Sequence, residues 1–123
     1  MSDSITSELL QRWTNTVKGG DANQVANLYH NDGMVLGTFS NKERIGRELI
    51  LEYFENLLKS PVEVEIVSNH HVFESVECAA NSGLYNFVTG GKTINARFSF
   101  VYMNTEFDGW KIISHHSSVL PET

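Results

Sequence analysis

The sequence has little of three features that would point to particular classes of protein. It contains one cysteine, Cys78, so an internal disulfide is impossible and nothing indicates an oxidising compartment. Its 9 lysine and arginine residues are scattered and are outnumbered by 15 aspartate and glutamate residues. Because nucleic acids and anionic membranes bind basic surfaces, we expect neither as a partner. No apolar run approaches the length of a membrane-spanning helix.

The remaining composition is that of an ordinary globular protein. Apolar residues make up 41% and charged residues 20% of the 123 positions, and the net charge is −6. A chain of this length is expected to form one domain, over residues 1–123. The first residues include neither a basic segment nor a long apolar run, so we expect no signal peptide and a cytoplasmic location.

The first half of the sequence has the periodicity of helices. One apolar stripe, with a residue at every fourth position, comprises Ile5, Leu9, Trp13 and Val17. We expect this helix to end at Gly20, and Asp21 to cap a second helix that ends at the turn signal of residues 31–33. Residues 34–36 then predict a short strand. The next stripe predicts a helix over residues 45–59, which Pro61 prevents from continuing.

Beyond Pro61 the apolar period changes from that of helices to that of strands. Alternation and turn signals predict four long strands, which begin at Val62 and then span residues 80–89, 93–103 and 110–119. Helices followed by strands are typical of the α+β class. We therefore predict a curved antiparallel sheet that wraps around the N-terminal helices as a cone with a central hollow.

Polar residues on the predicted strands are the first candidates for a site. Strict alternation places the following residues on one face of the last strand: Trp110, Ile112, Ser114, His116 and Ser118. His116, with Ser114 beside it, would then point into the hollow and exchange a proton with a ligand. The alternative is a structural histidine bonded to a backbone carbonyl.

Four further side chains complete the predicted ligand-binding set. Arg97 lies mid-strand and can clamp a carboxylate with its planar guanidinium, or else it is an ordinary surface or ion-paired arginine. Tyr53 and Tyr85 can each place a hydroxyl in the hollow, although such rings are more often core residues. His71 could join His116 and a carboxylate at a metal, but zinc-site spacing is missing, so we predict no metal and no cofactor.

Several segments resemble a known family. The segment ARFSFVY (residues 96–102) and the segment DGWKIISHHSSVLPE (108–122) resemble the association (hub) domain of calcium/calmodulin-dependent protein kinase II, in its free-standing microbial form. The segments YFENLL (53–58) and SNHHVF (68–73) also resemble it. The helical segment DANQVANLY (21–29) fits the wider nuclear transport factor 2-like superfamily, which includes SnoaL-like and cystatin-like folds.

The resemblance implies the cone-shaped fold, a homodimer or higher oligomer formed through the open sheet face, and a deep pocket. In the kinases this pocket carries arginines and can accept small carboxylates. This chain has Ser117 where the kinase hub has an arginine. Neither kinase activity nor calmodulin binding is expected of it.

Three functional hypotheses follow. The first is a non-enzymatic, homo-oligomeric domain that binds a small ligand, such as a carboxylate, or assembles. The second is a small cofactor-free isomerase, polyketide cyclase or dehydratase that acts on an organic acid or ketone through His116 with Tyr53 or Arg97. Such a mechanism needs a carboxylate base in the hollow, and Glu63 and Glu65 alternate outward. The third is a pure scaffold with a vestigial pocket.

Overall fold

The computed structural model describes residues 4–122. Within this range the chain forms three helices: α1 (Ile5–Gly19), α2 (Ala22–Ala26) and α3 (Arg47–Leu57). It also forms six strands: β1 (Tyr29–Leu36), β2 (Arg44–Ile45), β3 (Val62–Glu74), β4 (Cys78–Thr89), β5 (Lys92–Thr105) and β6 (Gly109–Val119). The predicted α+β class with N-terminal helices is confirmed.

Helix α1 has the extent that its apolar stripe predicts. The Ser4 hydroxyl accepts a hydrogen bond from the Ser7 amide and caps the helix start. Gly20 ends the helix with a φ of 82°, a left-handed conformation that glycine adopts without steric cost. The stripe is buried at Leu9, Trp13 and Val17, and it packs against β3 and β4.

Helix α2 is much shorter than predicted. Asp21 caps it as expected, by accepting from the amides of Asn23 and Gln24, but the helix ends at Ala26. The turn signal at residues 31–33 lies inside β1 and marks a register shift of its parallel pairing with β6. The reason is tertiary, because pairing with β6 and burial of Tyr29 outweigh the local preference for helix.

The strands form one sheet in the order β2-β1-β6-β5-β4-β3. Strands β3 to β6 are the predicted antiparallel meander, and β1 adds to it in parallel beside β6. Residues 44–45 pair with β1 instead of opening the third helix, so α3 begins at Arg47. The face of the sheet that packs on the helices is called the inner face below, and the opposite one the outer face.

A β-bulge in β6 decides which of its side chains are buried. Tyr102 pairs with Ile112 and Val101 pairs with Ser114, so Ile113 is an extra residue. Beyond the bulge the alternation is inverted: His115 and Ser117 are buried on the inner face, whereas His116 is exposed. The prediction that Ser114 and His116 share a face with Ile112 and point into the hollow is therefore wrong.

Candidate functional site

A hydrogen-bonded aromatic network occupies the centre of the cone. The Trp13 indole donates to the Tyr29 hydroxyl over 3.0 Å, and that hydroxyl lies 2.7 Å from Nδ1 of His115. The Tyr85 hydroxyl lies 3.1 Å from Nε2 of the same ring. The Tyr29 hydroxyl accepts from Trp13, and its own proton is satisfied within the network when it donates to Nδ1; the neutral imidazole then donates from Nε2 to Tyr85. Both ring nitrogens of His115 are thus satisfied within the protein.

Burial keeps this network uncharged. Desolvation lowers the pKa of His115 to about 3, and the neighbouring His116 adds to the decrease. Desolvation also raises the pKa of Tyr29 and of Tyr85 well above the ordinary tyrosine value. The network therefore provides neither a cation nor a phenolate near neutral pH.

Aromatic rings pack the space around the network. The Trp13 ring stacks on Tyr85 with centroids 5.8 Å apart and meets Phe100 edge-on at 5.4 Å. His115 stacks on Phe100 at 4.0 Å. The buried polar or charged residues among the described ones are Thr6, Arg44, Asn81, His115 and Ser117, so this set contains no carboxylate. It lacks the base that an isomerase-type mechanism requires.

A cleft of about 280 Å³ opens at one end of α3. We call it the mouth cleft, and it is lined by Phe39, Ser40, Arg44, Tyr53, Asn56, Leu57, Ser60 and Thr89. Arg44 is buried, with Nη1 donating to the Glu52 carboxylate over 2.6 Å and Nε donating to the Ser40 hydroxyl over 3.2 Å. Burial raises the pKa of Tyr53 to about 12, so its hydroxyl stays protonated.

The predicted ligand-binding residues do not meet in one pocket. Tyr85 belongs to the central network and Tyr53 to the mouth cleft. Arg97, Ser114 and His116 lie on the outer face, where Arg97 and His116 line an open depression of about 320 Å³ and Arg97 donates to Ser118. Their role in binding stays a prediction.

His71 lies apart from the other predicted residues, on the side of the sheet that meets α1. Its Nδ1 shares a hydrogen bond of 2.8 Å with the Thr6 hydroxyl, and its Nε2 lies 3.7 Å from the Glu74 carboxylate. Over residues 4–122, no group of three or more His, Cys, Asp or Glu side chains is arranged to hold a metal ion.

Sequence reasoning missed two residues that the structure makes prominent. His115 was hidden because strict alternation assigns it to the outer face, and only the bulge at Ile113 brings it inside. Arg44 lies in a polar stretch without apolar periodicity, so its sequence context does not indicate burial. In a doublet such as His115-His116 the two side chains point to opposite faces of the sheet, so each member is a candidate for the inner face, although both members of the His70-His71 doublet are exposed.

Comparison with known proteins places this architecture in a family. The SnoaL-like domain family matches residues 7–122. The chain belongs to this family. No curated protein sequence matches it significantly.

Solved structures agree with membership of the SnoaL-like family. One is a Xanthomonas campestris protein provisionally named as a calcium/calmodulin-dependent protein kinase II association domain, at 34% identity and a TM-score of 0.89, with 96% of this chain and 87% of that one covered. Another is a nuclear transport factor 2-like protein with a cystatin-like fold from Novosphingobium aromaticivorans, at 16% identity and a TM-score of 0.76, with 94% and 80% covered.

A third similar structure is a ketosteroid isomerase-like protein from Erwinia carotovora, at 14% identity and a TM-score of 0.76, with 94% of each chain covered. At this identity the likeness concerns the fold alone. The nuclear transport factor 2-like, cystatin-like fold predicted from the sequence is confirmed for this SnoaL-like domain. Among its described residues, no helix is both long and apolar enough to cross a membrane.

Proposed function

We propose that this SnoaL-like domain is a homo-oligomeric assembly domain whose copies associate through the outer face of the sheet. The observation that carries the proposal is an uncovered apolar patch on that face. A supporting comparison is the Xanthomonas protein, which bears an association-domain name and is 34% identical. Kinase activity forms no part of the proposal.

The apolar patch, as we name it, consists of Phe73, Ala80, Val101 and Met103. The first three stand side by side on β3, β4 and β5, and Met103 follows two residues along β5. Phe73 is 52% exposed and Met103 is 41% exposed. An antiparallel sheet that faces water usually carries polar side chains on that face, so this patch favours a packed partner.

The row of residues beside the apolar patch suits close packing of two sheets. Ser82 and Ser99 stand opposite each other and share a hydrogen bond of 2.8 Å. Their small side chains let another surface approach, and sheets that pack face to face lie only about 10 Å apart. A second copy of the same face would bury the apolar patch symmetrically, as in most homodimers.

The interior of the cone favours this proposal over the enzymatic alternative. The central network is neutral, internally satisfied and packed by aromatic rings. The buried polar set among residues 4–122 offers no carboxylate to act as a base. Isomerase, cyclase or dehydratase activity stays a prediction of the sequence, as does the cytoplasmic location.

Sedimentation velocity over a range of micromolar concentrations tests the assembly proposal. We expect the natural protein to be a dimer or higher oligomer and Val101→Glu to shift it toward monomer, because the substitution buries an unpaired charge in the interface. Asn15→Glu adds the same charge to the exposed side of α1 and should leave the assembly unchanged. A monomeric natural protein, or a Val101→Glu variant that assembles as well, would contradict the proposal.

The mouth cleft favours a second candidate function, binding of a small carboxylate. Arg44 is the one charged residue among those that line it, and its Nη2 group makes no hydrogen bond to another described residue. Titration with butyrate and its neutral analogue butyramide distinguishes the sites. If the mouth cleft binds butyrate, Arg44→Met abolishes binding and Arg97→Ala does not. The opposite pattern would support the outer-face residues predicted from the sequence.

A further inference from the structure

A separate polar cleft lies at the other end of α3 from the mouth cleft. Its volume is about 230 Å³, and we call it the hairpin cleft because the turn between β5 and β6 forms one side. Its lining residues from β1, α3, β6 and the turn include His30, Arg47, Lys111, Glu106, Phe107 and Asp108. None of these residues belongs to the apolar patch or lines the mouth cleft.

The elements around the hairpin cleft are held in place by their own hydrogen bonds. In the β5–β6 turn, the Thr105 hydroxyl donates to the Gly109 carbonyl over 2.7 Å and accepts from the Asp108 amide over 3.0 Å. Across the cleft, the Gly46 amide donates to the Gly33 carbonyl over 2.9 Å and joins the start of α3 to β1. The cleft is therefore formed before any ligand arrives, which lowers the entropic cost of binding.

Charges of both signs line the hairpin cleft without neutralising each other. Arg47 comes from α3 and Lys111 from β6, while Glu106 and Asp108 come from the turn. Among residues 4–122, the ion pairs within 4.0 Å are Lys18–Glu63, Arg44–Glu52 and His71–Glu74. None of the cleft's charges takes part in these pairs, so both signs are available to a ligand.

Two neighbouring contacts define what the basic side offers. The Lys111 ammonium donates one hydrogen bond to the Asn27 carbonyl at 2.5 Å, which holds it at the wall of the cleft, and its charge adds to that of Arg47. The His30 Nδ1 accepts from the Asp32 amide over 3.0 Å, which places a ring proton on Nε2, where it can donate to a ligand. Both side chains line the same cleft, and a guanidinium and an imidazole N–H are each donors that suit a carboxylate.

An exposed aromatic ring stands among the residues that line the hairpin cleft. Phe107 is 89% exposed although its turn is well ordered by Thr105. A phenyl ring in water is covered favourably by any apolar group that reaches it, at about 25 cal/mol per Å². It therefore offers an apolar contact next to the charged ones.

We propose that the hairpin cleft binds a small zwitterion of the amino-acid type with an apolar side chain. The carboxylate is held by Arg47 and His30, the ammonium by Glu106 and Asp108, and the apolar group packs on Phe107. Pockets for drug-sized ligands measure roughly 300–1,000 Å³, so the smaller hairpin cleft fits a metabolite of this size. The proposal does not depend on assembly through the outer face.

Calorimetric or NMR titration with L-phenylalanine is the direct test. Phenylacetate has the ring and the carboxylate without the ammonium, and phenethylamine has the ring and the ammonium without the carboxylate. We expect each to bind at least about tenfold more weakly than phenylalanine, because each loses one set of charge-assisted hydrogen bonds. Absence of phenylalanine binding at millimolar concentration, or equal binding of phenylacetate, would overturn the proposal.

Substitutions at the rim locate the binding. Arg47→Gln and the pair Glu106→Gln with Asp108→Asn should each weaken phenylalanine binding about tenfold or more. Lys59→Gln and Glu55→Gln remove the same charges at exposed positions toward the other end of α3 and should change nothing. The cleft variants alter side chains outside the core, so circular dichroism should be unchanged. Unaltered phenylalanine binding in Arg47→Gln, or in the Glu106→Gln and Asp108→Asn double variant, would show that phenylalanine binds elsewhere and would refute the assignment.

Discussion

The buried histidine makes the stability of this protein depend strongly on pH. The pKa of His115 is about 3 in the folded protein, against an ordinary value of 6.5 that applies to the unfolded chain. Between these values the unfolded state binds one proton more than the folded state, so stability falls as the pH falls. The stability that the uncharged His115 side chain contributes is fully present above about pH 6.5 and is lost progressively as the pH falls toward 3.

The magnitude follows from the pKa difference. One pKa unit corresponds to about 1.4 kcal/mol, so lowering the pH to about 4.5 costs roughly 2–3 kcal/mol through His115 alone. That is a large share of the roughly 5–15 kcal/mol that stabilises a typical domain. Urea unfolding at constant ionic strength and constant protein concentration, performed near pH 7 and near pH 4.5, measures the loss.

Two variants isolate the contribution of this one ring. His115→Gln retains a donor and an acceptor for the two tyrosines but cannot titrate, so its loss of stability between the two pH values should be smaller by about 2–3 kcal/mol. His116→Gln removes the exposed neighbour and should lose nearly as much stability as the natural protein. The carboxylates titrate alike in all three proteins. An equal pH dependence in His115→Gln would refute the reasoning.

Two further substitutions test the packing. Gly83→Ala would place a methyl group against the backbone carbonyl of Ser68 on the neighbouring strand, so β3 and β4 would have to separate. We expect at least about 1–3 kcal/mol of destabilisation, seen as a lower Tm. An unchanged Tm would show that β3 yields at Ser68, next to the register shift of its pairing with β4. Tyr29→Phe should cost about 1–3 kcal/mol in urea unfolding, because it leaves the Trp13 indole and one His115 nitrogen without a hydrogen-bond partner. Tyr102→Phe should cost less, since the Tyr102 hydroxyl contacts the Asn81 side chain and takes no part in the central network. Equal costs in the two tyrosine variants would contradict the role of the network.

Much of the fold can be predicted from the sequence because it follows from preferences of residues that are close together in the chain. Helix geometry explains the apolar stripe of α1, which repeats at every fourth residue, and the ease with which glycine adopts a left-handed φ explains why the helix ends at Gly20. The hairpin at residues 89–92 and the long alternating strands follow from turn chemistry and period two. Each of these features depends on residues close together in the chain.

Predictions of the candidate site were less successful, since facing direction depends on pairing with distant residues. Tyr53 and Tyr85 are both buried, which agrees with the alternative that such rings are core residues. In β6, strict alternation fails because the bulge at Ile113 interrupts the pairing with β5. For Arg97 the sequence leaves a carboxylate clamp and a surface arginine open, and its exposed position on the outer face agrees with the second.

The sequence by itself determined the class of fold, the family, the acidic surface and most of the apolar core, because composition and short-range periodicity carry that information. Only the tertiary structure decided which histidine is buried and that aromatic rings fill the cone. It also decided that Arg44 is buried in an ion pair with Glu52, and that charges of both signs line the hairpin cleft without pairing. The physical reason is that one extra residue in a strand reverses every side chain beyond it, and neither a bulge nor a long-range contact has a local signature.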